Sequence, residues 1–177
     1  MKTWKYLGFA SLGIFLVFTL ISKHLNPWFN VAHYTFSKLG KIGLANYPWI
    51  FSAGTIIGGI FMMWYGVEIV KNSIGKLQVL GGGYVLLSGI FMALIGLFPD
   101  GTKPHDFIAV VTFLSFYIGF TLFGFGSNKK AFKFYTAFVF ALALIGLLYP
   151  HWPSLCYLEI YGISLVIFDM VIMLFFA

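Results

Sequence analysis

With 177 residues, of which 60% are hydrophobic and only 9% charged, the chain cannot be a soluble globular domain, where about a quarter of residues carry charge. Its mean hydropathy of +0.94 and its long apolar runs make it an all-α polytopic membrane protein, one transmembrane domain over 1–177. All eleven cations are lysines. Without the planar guanidinium fork that reads phosphate, the net charge of +6 does not point to nucleic acid; lysines flank spans and set topology instead.

Six apolar runs follow in order, at roughly 4–22, 49–70, 77–98, 106–126, 134–149 and 155–177. The first, flanked by Lys2 and Lys5, lacks a small-x-small cleavage site and is expected to remain as an uncleaved helix. The fifth is short, so it must stand nearly upright or begin inside its Lys133 flank. An even number of spans puts both chain termini on one side. That side carries Lys2, Lys5, Lys71, Lys76, Lys129, Lys130 and Lys133, against Lys23, Lys38, Lys41 and Lys103 opposite. The bias predicts a cell-membrane protein with both termini in the cytoplasm. His24, His33, His105 and His151 then all lie on the outer face, with Asp100, Asp106 and Glu159. Side-chain chemistry is expected there. Glu68 is expected to pair with Lys71 one turn on.

Small residues mark the helix contacts. Ser52, Gly54, Gly58 and Gly59 in the second run, and Gly82, Gly89 and Gly96 every seven residues in the third, let backbones approach in lipid, where no hydrophobic drive exists between helices. A homo-oligomer seam is the alternative use of such stripes. Ala-Leu-Ile-Gly-Leu occurs at Ala93 and again at Ala143, two spans later and in the same direction, as a duplicated hairpin would give. Gly96 and Gly146 within it would let outer helix ends pack closely. The lone Cys156 permits neither an internal disulfide nor a cysteine-based zinc cluster.

The connector over 23–48 is patterned. Asn26, Asn30, His33, Ser37 and Lys41 step by three or four, while Trp28, Phe29, Ala32, Phe36 and Leu39 fall between them. That spacing predicts an interfacial amphipathic helix over about 26–40, opened by Asn26 as N-cap with Pro27 at the first position and closed near Gly40. It would bring His33 and Ser37 onto one polar face.

Ser37-Lys-Leu-Gly40 after the first span, Gly96-Leu-Phe-Pro99 closing the third, and His105 at the mouth of the fourth resemble the pattern of the prokaryotic family catalogued as domain of unknown function 998 (DUF998), itself distantly similar to the eukaryotic Frag1/DRAM/Sfk1 group. The chain departs from the pattern by a lysine inside Ser-x-Leu-Gly and by a shortened loop after Asp100. The resemblance implies a six-helix membrane fold and brings no established reaction.

Three uses of the outer polar groups compete. His33, His105, Asp106 and His151 could ligate zinc, with Ser37 or Glu159 as nucleophile or base, as in a membrane hydrolase acting on a lipid; a superfamily that includes the alkaline ceramidases has Ser, Asp and His at such a mouth. Alternatively each residue is local structure: Pro99-Asp100-Gly101 a turn, Pro104 and Asp106 the first turn of a helix, His105 bonded to a carbonyl. In the third, the bundle receives a membrane lipid, small ligand or cofactor, or moves protons through Asp169, the one acid deep in a span. The leading expectation is a membrane protein, non-enzymatic or of no assigned reaction, with a polar outer cavity for a lipid or small ligand.

Overall fold

The computed structural model describes residues 3–176. Six helices long and apolar enough to cross a membrane occupy these residues, with no strand among them: α1 (Leu7–Leu25), α2 (Trp49–Asn72), α3 (Lys76–Leu97), α4 (His105–Phe125), α5 (Lys130–Leu148) and α6 (Leu155–Phe176). A 3₁₀ turn over Thr3–Tyr6 leads into α1. The fifth span takes its length from the lysine flank, starting at Lys130. Lys2, and residue 177 of the sixth run, lie outside the described residues. Lys5 Nζ donates to the Leu174 carbonyl at 3.3 Å, which brings the start of α1 beside the end of α6. This is the terminal end of the bundle; the opposite one, with segment 26–48, is the loop end.

The helices stop for local reasons. Ser73 closes α2, its hydroxyl donating to the Ile69 carbonyl at 2.7 Å. Gln78 reaches back from the first turn of α3 to accept the Ile74 and Gly75 N–H groups, half of a capping box. Lys71 meets Glu68 at 2.9 Å, as the spacing predicts.

The glycine stripes lie inside the bundle, not on a free seam. The seven-residue series of α3 faces α2: a Cβ on Gly82 would meet Ile69 and Val70, on Gly89 the Gly59 carbonyl, and on Gly96 the Ser52 carbonyl and Thr55. Gly81 and Gly119 make the corresponding backbone approach between α3 and α4. Both echoed glycines do bring helix ends together, Gly96 against α2 and Gly146 against the Tyr161 ring of α6. The main core, with Met62, Tyr65, Val85, Phe116 and Met170, fills the middle. A smaller cluster of Phe29, Leu39, Phe51 and Cys156 sits under the loop end. Of the six spans, α5 buries the smallest share of its length.

Segment 26–40 corrects the sequence expectation. It is not one amphipathic helix but a series of turns ending in a 3₁₀ helix over Phe36–Gly40. Asn26 does not open a helix; it ends α1, its N–H donating to the Lys23 carbonyl. Thr35, just ahead of the 3₁₀ helix, is extended (φ −75°, ψ 157°). Spacing by three and four registers which side chains can share a face, but a fully bonded asparagine and a following proline commit this backbone to turns.

Candidate functional site at the loop end

Four ties assemble the loop end. The first is Asn26, fully buried. Its Nδ2 donates to the Ser22 carbonyl at 2.7 Å and the Asn46 carbonyl at 3.1 Å, while its Oδ1 accepts Trp28 Nε1 at 3.0 Å and the Asn46 N–H at 2.6 Å. One amide thus fastens the end of α1 to the approach of α2. The second is ionic: Lys38 Nζ bonds both Asp100 oxygens at 3.2 and 3.0 Å, with Lys41 Nζ at 3.5 Å from the same carboxylate. The Pro99-Asp100-Gly101 turn offers that carboxylate, and Gly101 takes a left-handed φ of 93° that favours glycine. Third, Ser154 donates to the Val31 carbonyl, bringing the α5–α6 connection under the 26–35 turns. Fourth, Glu159 on α6 accepts the Phe36 N–H at 2.9 Å.

These ties frame a cleft of ≈ 860 Å³ between α4, α5 and α6. Its upper wall is polar, with His33, Ser37, Lys38, Asp100, Asp106 and Glu159. Below, it becomes an apolar trough between Val110, Leu114 and Ile118 of α4 and Phe140, Leu144 and Leu147 of α5. Tyr161 of α6, also in the lining, donates its hydroxyl to the Leu142 carbonyl at 2.8 Å and so fixes α5 to α6. A chamber of ≈ 80 Å³ adjoins the cleft and reaches Leu12, Met92 and Val166 in the core. Ser37, His105, Ala109, Phe113 and Glu159 line both spaces, so they form the junction.

Of the residues singled out from sequence, His33, Ser37, Asp100, His105, Asp106 and Glu159 share this one cleft. Among the described residues no three His, Cys, Asp or Glu side chains are placed to hold an ion. His151 stands apart, exposed, its ring 5.9 Å from that of Tyr149. His105, 3% exposed, has Nδ1 at 2.8 Å from the Phe98 carbonyl, one of the local partners its position suggested. Ser37 Oγ pairs with Thr35 Oγ1 at 3.0 Å, and no base is bonded to it among the described residues. Asp169 is 8% exposed in the core and lines neither space. The buried Ser88 and Thr112 hydroxyls donate within their own helices, to the Val85 and Ile108 carbonyls. Sequence reasoning missed Asn26 as the fastener and Ser154 as a strut. An asparagine at the close of an apolar run ahead of proline is a signal for the first; the second has none.

Burial opposes ionisation of Asp100, but the hydrogen bond and charge of Lys38 prevail, with smaller help from the charge of Lys41. The carboxyl is held below its usual range. A depressed folded pKa stabilises above the unfolded value, about 4, and that contribution disappears as pH falls through the folded value. The wild type is therefore expected to lose melting temperature on acidification below about pH 4 by more than Asp100→Asn does, in a thermal scan in micelles. Parallel losses would show that the clamp adds nothing to stability.

No curated protein and no solved structure matches the chain. Its relationship is instead to a family described as "Protein of unknown function (DUF998)", whose model matches residues 9–175, nearly the whole length and all six spans. The chain belongs to that family.

Proposed function

We propose that the cleft receives one amphiphile from the surrounding bilayer, headgroup at the loop end and chain along the α4–α5 trough, in a cell-membrane protein whose termini face the cytoplasm. The supporting observation is the continuity of the cleft: charged and hydroxyl groups at one end, then aliphatic and aromatic walls along two spans. Ligand pockets combine largely apolar walls with a few placed polar groups in volumes of about 300–1,000 Å³, and this cleft falls in that range. Four lysines described at helix ends on the terminal side, Lys71, Lys76, Lys129 and Lys130, support the orientation by the positive-inside rule. The function is binding, presentation or sensing of a lipid-like molecule; no catalytic step is assigned.

Filling the trough tests this. Val110 and Leu144 are 58% and 41% exposed, so tryptophan at either is expected to fold normally while obstructing the chain. Val110→Trp and Leu144→Trp should each reduce the lipid retained through purification about tenfold, counted by native mass spectrometry. Retention equal to wild type in both variants would reject the trough as the binding site.

A further inference from the structure

The charge lining the cleft is opposite in sign to that of the chain. The whole sequence carries +6, yet the cleft wall holds three carboxylates, Asp100, Asp106 and Glu159, and a single lysine, Lys38. Lys38 is already engaged with Asp100, and Lys41 approaches the same carboxylate from outside the wall. Among the described residues no ammonium sits within salt-bridge distance of Asp106 or Glu159. Asp106 is exposed at the rim; Glu159 lies deeper, where cleft and chamber meet.

The junction also offers acceptors rather than donors. Glu159 accepts the Phe36 N–H, but an ionised carboxylate has about four acceptor positions. The Nδ1 of His105 is engaged with the Phe98 carbonyl; in the neutral ring this makes Nδ1 the donor and leaves Nε2 an acceptor. Around these two groups stand Phe36, Phe113 and Ile163. A carboxylate among apolar groups is costly without a counter-charge, and a ligand that brings one recovers the loss.

We propose that the headgroup taken at this junction is a primary ammonium, bonded to the Glu159 carboxylate and to His105 Nε2, so that the cleft selects cationic amphiphiles. The inference rests on the reading of the cleft as an amphiphile site. An ammonium supplies three donors and a charge, which matches two acceptors and a local excess of acid. A phosphate or sulfate headgroup would meet Asp106 and Glu159 with like charge, and no arginine exists to bind it.

The test uses the full chain in phosphatidylcholine nanodiscs, with dodecylammonium, dodecanol, dodecyl phosphate and methylammonium as probes. Dodecylammonium is expected to bind at least about tenfold tighter than dodecanol, with dodecyl phosphate weakest. Glu159→Gln should remove that preference and leave dodecanol binding unchanged. If this variant fails to fold, Asp106→Asn, on an exposed side chain, should still lower ammonium affinity about threefold without touching the alcohol. Equal affinity for ammonium and alcohol, or phosphate binding tightest, overturns the headgroup assignment while the cleft reading stands. Methylammonium competing as well as dodecylammonium would show a site for free amines, against the proposal. Binding of none of the four would reject the cleft reading itself.

Discussion

Asn26→Ala is expected to destabilise the folded bundle by about 3 kcal/mol, because each buried polar group left without a partner costs about 1–3 kcal/mol. All four bonding positions of the Asn26 amide are filled, so truncation strands the Trp28 indole N–H and the Asn46 N–H and frees two carbonyls at once. Water can reach Asn46, which lies toward the surface, and this keeps the loss below the sum of four groups. Asn26→Asp should do no better: it retains the acceptors, loses both donors and buries a charge. Because Asn26 joins the end of α1 to the approach of α2, the local consequence is loosening of the 26–48 segment, whose residues between Ala32 and Lys38 line the cleft. Thermal unfolding in micelles, with proteolysis of the 26–48 segment as a local probe, reads both effects. A melting temperature unchanged in Asn26→Ala would mean that the loop end holds together without this amide.

Gly59→Val should be at least as damaging, by about 3 kcal/mol. A Cβ at Gly59 would lie 2.6 Å from both the Ala93 nitrogen and the Gly89 carbonyl oxygen. Those are backbone atoms of α3, so no rotamer change relieves the overlap, and α2 must move away from α3. In lipid the packing of small residues is itself the main attraction between helices, which makes separation costly along the whole seam. Gly83 is the control: nothing stands within 4 Å of a Cβ there. Gly83→Ala is expected to be neutral or to stabilise by about 0.5–1 kcal/mol through helix propensity alone. Equal effects of Gly59→Val and Gly83→Ala in denaturant unfolding would contradict the close approach of α2 and α3.

The spans were legible because bilayer thickness imposes a length and an apolar composition that each run displays on its own. The α2–α3 seam was legible for a similar reason, since Gly82, Gly89 and Gly96 repeat at helical spacing. The loop end was legible only in membership. Topology alone put His33, Ser37, Asp100, His105, Asp106 and Glu159 at one end, and all six line one cleft. Their partners were not legible. Lys38 finds Asp100 across 62 residues, and Phe36 finds Glu159 across 123; no local spacing encodes such pairs. The helical pattern over 26–40 misled because turns can also space polar residues by three and four. His151 was grouped with the other histidines by side of the membrane, a criterion too coarse to separate the cleft from the exposed α5–α6 connection. The trough could not be foreseen, since it depends on how closely α5 approaches α4.

A membrane amphiphile between α4, α5 and α6 should be visible in an electron cryomicroscopy map of the full chain in native-lipid nanodiscs. The expected map contains elongated density along Val110, Leu114 and Leu144 that ends in a compact headgroup beside Glu159 and His105. A map in which α5 packs flush against α4, with no room for a chain between them, would rule out an amphiphile at this site.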